Sequence, residues 1–155
     1  MIQRIQTIYL LLAAVLMSLT LFLPLATIWC GADEVVVKAF GISGTLGFEA
    51  PLPVYLSIVL SVATLLPLVI VFLFKKRLAQ IRFCVSAIVL LLGSAVMIAL
   101  YCYRLYTLLS AMMQDEHFTL GFASIMPVVA IIFVALAIRG IAKDEALVRS
   151  LDRIR

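Results

Sequence analysis

The chain has 155 residues, of which 66% are hydrophobic and only 13% charged, with a net charge of +4. A single domain of this length has too much surface per unit volume to hide that apolar area from water, so a water-soluble globule is excluded and lipid must cover part of the surface. The positive charge does not point to nucleic acid, because the basic residues sit at the ends of apolar runs, where membrane topology places them.

A helix that crosses the hydrocarbon core of a bilayer needs about 20 predominantly apolar residues. Stretches of that kind lie between Arg4 and Asp33, Glu49 and Lys75, Arg82 and Arg104, and His117 and Arg139. They predict an all-α membrane protein, one domain over residues 1–155. Its spans are expected at about 5–29, 52–74, 83–106 and 119–139, with a tail over 140–155. The uncharged parts of the last two spans would each be about 31 Å long at 1.5 Å per residue, one bilayer core.

The first run is too long for the apolar region of a signal peptide, and Trp29 before Cys30 is too bulky for a lipoprotein cleavage site, so a retained helix is expected. Pro24, Pro67 and Pro127 fall within spans and are expected to kink them. The loop that follows the first span contains Val35-Val36-Val37 and Phe40, then Gly41, Gly44 and Gly47, which predicts a short β-hairpin. Its apolar side chains would need cover from the helices, because an isolated hairpin is marginal. Pro51 and Pro53 open the second helix.

Along that second helix Ser57, Ser61 and Thr64 recur at helical spacing. They are expected to form a packing stripe, since small and hydroxyl residues let helices approach closely and bond across the contact. Ala87, Gly93, Ser94, Ala95 and Ala99 mark the third span in the same way. Trp29, Tyr55, Tyr101, Tyr103 and Tyr106 fall near one membrane surface, the depth that amphipathic rings prefer.

Asp115, Glu116 and His117 in the second loop, with Asp33 or Glu34, make only a weak metal-ligand pattern, and neither a metal nor a cofactor is expected. Cys30, Cys84 and Cys102 include no C-x-x-C pair and suggest no disulfide framework. Whether Cys30 and Cys102 pair depends on their separation.

The tail is expected to be helical. Ile141, Leu147, Val148, Leu151 and Ile154 share an arc, interrupted by Asp144, and Glu145 and Arg149 form a favourable i, i+4 pair. Lys143, Glu145, Arg149, Leu151 and Arg153 are the candidate residues for docking a partner, with the inner leaflet as the other surface the tail would suit. Ile2, Ile5 and Ile8 near the N-terminus are expected to cover part of it.

Loop charges set the orientation. One side holds Arg4, Lys75, Lys76, Arg77, Arg82, Arg139, Lys143, Arg149, Arg153 and Arg155, whereas the other holds Lys38 and Arg104. Both termini are therefore expected in the cytoplasm. No Asp, Glu, Lys or His falls in the middle of a span, which argues against ion-coupled transport.

Two segments carry a family resemblance. Residues 1–10, Met-Ile-Gln-Arg-Ile-Gln-Thr-Ile-Tyr-Leu, and residues 141–155, from Ile141 through Lys143-Asp144-Glu145 to Arg155, resemble the Bacteroidota membrane family catalogued as domain of unknown function 4293. The resemblance covers the whole chain. It implies a bacterial inner membrane and brings no activity, cofactor or catalytic residue.

The expected function is therefore a non-enzymatic accessory or scaffold protein of the inner membrane. Its expected partners are the lipid bilayer and either other membrane proteins or further copies of itself, not nucleic acid. An oligomeric channel or transporter for a small neutral solute is the alternative, motivated by the prolines and the Ser57–Ser61–Thr64 stripe. An enzyme acting on lipids or thiols is disfavoured by the missing C-x-x-C and the isolated His117.

Overall fold

The computed structural model describes residues 3–30, 33–44, 54–73, 77–110 and 116–152. In chain order it contains α1 (Gln3–Phe22), β1 (Ala26–Cys30), β2 (Asp33–Lys38), β3 (Gly41–Gly44), α2 (Val54–Phe72), α3 (Arg77–Ser110), β4 (Glu116–Leu120) and α4 (Met126–Asp152). A short 3-10 turn at Phe122–Ser124 leads into α4.

All four helices are long and apolar enough to cross a membrane. They pack as a ring in which α1 touches α2 and α4, and α3 touches α2 and α4. Inward faces carry Leu10, Ala13, Met17, Leu60, Leu91 and Val134, which belong to one continuous buried core. The outward faces carry large apolar side chains such as Ile8, Val15, Ile58, Val89, Val96 and Ile132, all at least half exposed or close to it. Exposed apolar area on every helix is what lipid contact requires and what water would not tolerate.

The first span is shorter than the sequence suggested. The expected helix over 5–29 ends at Phe22, and Leu23 N–H makes its closing bond to the Leu19 carbonyl at 2.9 Å. Pro24 has no N–H to continue the ladder and biases the residue before it away from helical geometry. It ends the helix rather than kinking it. Residues 26–30 then form β1, one of the two inner strands of a four-stranded antiparallel sheet of order β3-β2-β1-β4. The all-α expectation is corrected accordingly: the expected hairpin is present as β2–β3, and it is half of a larger sheet.

Register explains what the sheet covers. Ala26 pairs with Val37 and Ile28 with Val35. All four side chains are buried, alternating with half-exposed Thr27 and Val36 and exposed Trp29. One face of β1–β2 thus closes the sheet end of the helix core, and these residues join the helical core cluster. Ring contact between Tyr106 on α3 and Phe118 on β4, centroids 5.6 Å apart, ties the far strand to the helices.

The remaining helix boundaries also differ from expectation. Helix α3 runs from Arg77 to Ser110, about 51 Å at 1.5 Å per residue, well beyond the expected 83–106. No proline lies between its ends, so Arg82 and Arg104 sit within the helix rather than at its limits. The fourth span begins at Met126 rather than 119, because residues 116–120 pair with β1. Pro127 is its second residue, where a missing N–H leaves nothing unsatisfied, so it starts α4 and does not kink it. Pro67 alone of the three lies inside a helix.

Candidate functional site

In the Ser57–Ser61–Thr64 stripe two hydroxyls bond within α2. Ser61 Oγ donates to the Ser57 carbonyl at 2.7 Å, and Thr64 Oγ1 donates to the Leu60 carbonyl at 2.8 Å. Both hydroxyls therefore return to their own helix. Ser57 Oγ donates to the Ala39 carbonyl and fastens the β2–β3 turn to the start of α2. Thr64 is buried, while Ser57 and Ser61 are half-buried and line a shallow groove of about 380 Å³ beneath exposed Phe40. Two further buried side chains repeat the pattern: Thr20 donates to Leu16 at 3.0 Å and Ser94 to Leu91 at 2.7 Å.

At the opposite end from the sheet, α1 and α4 meet through a buried polar contact. Gln6 Nε2 donates to Asp144 Oδ2 at 2.6 Å, and both side chains are 7% exposed. Gly140 makes room for it, since a Cβ there would lie 2.8 Å from Gln6 Cγ. One turn inward Ile141 is fully buried, and farther along Tyr9 and Phe133 stack at 6.4 Å.

This contact corrects the expected geometry of the tail. Asp144, which interrupted the apolar arc, is the residue that faces α1, while Leu147 and Val148 are exposed at 48% and 40%. Ile5 and Ile8, expected to cover the tail, point away and are about half exposed, and the intervening Gln6 makes the contact instead. Ile2 lies outside the described residues.

Of the candidate docking residues, Lys143 is exposed and Glu145 half-buried on the continuous helix α4. Arg149 and Leu151 are on that helix with side chains outside the described set, and Arg153 and Ile154 lie outside the described residues. Beyond Asp144 the helix runs on to Asp152, about 12 Å farther.

A second concavity lies at the sheet end between α2 and α3. It has a volume of about 460 Å³ and is lined by Tyr55, Met97, Tyr101, Arg104, Leu105 and Leu108, with Leu100 at its rim. The Tyr101 hydroxyl is enclosed and has no hydrogen-bond partner. In the sequence these aromatics read as a membrane-surface belt; what one sequence lacked was the pairing of the start of α2 with the end of α3.

Among the described residues no three His, Cys, Asp or Glu side chains are placed to hold a metal, and Asp115 lies outside them. Cys84 and Cys102 carry free, buried thiols, while the Cys30 side chain lies outside the described set. No curated protein matches the chain. The model of one family, described as a domain of unknown function (DUF4293), matches residues 2–154. With nearly its whole length matched, the chain belongs to the DUF4293 family.

Proposed function

We propose that this chain is a non-enzymatic accessory protein of a bacterial inner membrane that docks a partner through the cytoplasmic end of α4. On this reading the four helices cross the bilayer, both termini lie in the cytoplasm and the sheet lies on the outer surface. Ten basic residues on the tail side against Lys38 and Arg104 on the other support that orientation.

The observation that carries the docking role is the continuation of α4 past its last buried polar contact. Asp144 is held by Gln6, and the same helix then exposes Leu147 and Val148 beside the charged residues of the tail. A helix anchored at its base presents such side chains in fixed positions, which lowers the ordering entropy that binding must overcome. Exposed apolar anchors flanked by charge on a helical face are the pattern a groove-bearing partner recognises.

The channel reading has weaker support. The Ser61 and Thr64 hydroxyls are spent within α2, and the helix ring surrounds apolar side chains. A photo-crosslinking residue placed at Val148 tests the docking role in whole cells. Discrete protein adducts at Val148, absent when the same residue is placed at exposed Ile132 on the lipid-facing side of α4, are expected. Crosslinking to lipid alone would count against it.

A further inference from the structure

We infer that the pocket between α2 and α3 is a binding site for one anionic phospholipid, with Arg104 and Tyr101 as its headgroup ligands. Three observations converge on it.

The first is depth. Arg104 lies two turns from the end of α3 at the sheet end, with Tyr55 in the first turn of α2 facing the same cavity. That is the boundary between chains and headgroups, where an arginine keeps its stem in the apolar layer and its guanidinium among phosphates.

The second is unmet polarity. Tyr101 lines the cavity, and its hydroxyl is enclosed and has no hydrogen-bond partner. An enclosed polar group left unpaired is costly, so a rotation of Tyr101 that brings its hydroxyl to a ligand oxygen in the cavity is favoured. Arg104 is exposed, and no described acidic side chain pairs with its guanidinium. Its planar fork matches two phosphate oxygens, a fit that a point-charge ammonium lacks.

The third is the lining. Met97 and Leu100 continue the cavity from Arg104 toward the chain region, and Leu100 is exposed to the surroundings. An acyl chain enters from the side while its phosphate stays beside the arginine. Basic pockets between membrane helices bind anionic headgroups on this principle. The site is independent of the tail at the other end of the molecule.

The test is native mass spectrometry of the purified full chain. It is taken from nanodiscs of equal palmitoyl-oleoyl phosphatidylglycerol and palmitoyl-oleoyl phosphatidylcholine, with palmitate as competitor. The expected result is one retained phosphatidylglycerol, favoured about tenfold over phosphatidylcholine. Arg104→Gln, at an exposed position, should bring that preference close to parity. Tyr101→Phe should weaken retention while leaving the thermal midpoint unchanged or raised, since it removes an unpaired hydroxyl. Val89→Leu, on α3 outside the cavity, serves as the folding control and should retain the preference. An undiminished preference in Arg104→Gln overturns the assignment, as do equal retention of both lipids by the parent chain, displacement of phosphatidylglycerol by stoichiometric palmitate, and retention of neither lipid.

Discussion

Gln6 and Asp144, separated by 138 residues, are joined by a 2.6 Å hydrogen bond from the Gln6 side-chain amide to the Asp144 carboxylate. It ties the first turn of α1 to the last third of α4, and so fixes where the tail leaves the helix ring. Both partners are buried, so deleting either leaves the other without a bond that water cannot easily replace.

Gln6→Ala and Asp144→Ala should each lower stability by about 1–3 kcal/mol. The double variant should lose less than the two together, because each single deletion already breaks the Gln6–Asp144 bond. Denaturant unfolding in micelles, run as a double-mutant cycle, measures the coupling. Strict additivity would show that the bond contributes nothing as a pair.

Gly140 should show a change of sign with its neighbour. Alanine is favoured over glycine within a helix by up to about 1 kcal/mol. Yet a Cβ at Gly140 meets Gln6 Cγ at 2.8 Å, so Gly140→Ala should destabilise the parent chain. In the Gln6→Ala background the obstacle is gone and Gly140→Ala should stabilise. The readout is the thermal midpoint of the four chains.

Gly121 and Gly93 should respond in opposite directions. A Cβ on Gly121 would lie 2.8 Å from the Leu25 carbonyl oxygen, a backbone atom that also accepts the Gly121 N–H at 2.9 Å. Gly121→Ala must separate β4 from the start of β1 and should cost about 1–3 kcal/mol. Around Gly93 nothing lies within 4 Å, so Gly93→Ala should be neutral or stabilising by up to about 1 kcal/mol. Thermal unfolding of the two variants makes the comparison.

Ser57→Ala should loosen the β2–β3 hairpin, because the Ala39 carbonyl loses the hydroxyl that anchors it to α2. A loss of about 1 kcal/mol and faster proteolysis at the hairpin are expected. Ser61→Ala and Thr64→Val remove bonds within one helix and should leave hairpin proteolysis unchanged. Equal protection in all three variants would contradict the anchoring role.

The helices were legible because their apolar runs match the bilayer scale, and the hairpin because Val35-Val36-Val37 precedes spaced glycines. The strand at Ala26–Cys30 was hidden by the same rule that revealed the helices: counting from charge to charge carried the first span past Pro24 to Asp33. Its partner β4 lies about 90 residues away, and nothing local in Glu116-His117-Phe118-Thr119-Leu120 names it. Asp144 looked like a flaw in an apolar arc because its partner, Gln6, is at the other end of the sequence. The lipid pocket was opaque for a similar reason, since Tyr55 and Tyr101 belong to helices whose pairing only packing decides.

The docking role of the tail is tested most directly by truncation after Glu145, which keeps the Gln6–Asp144 bond and removes Leu147, Val148 and everything beyond. Full-length and truncated chains are purified in mild detergent, and co-purifying membrane proteins are quantified by mass spectrometry. The account predicts that a near-stoichiometric partner is lost on truncation while the thermal midpoint of the chain itself changes by no more than a few degrees. The same partners at the same stoichiometry from both chains would contradict it.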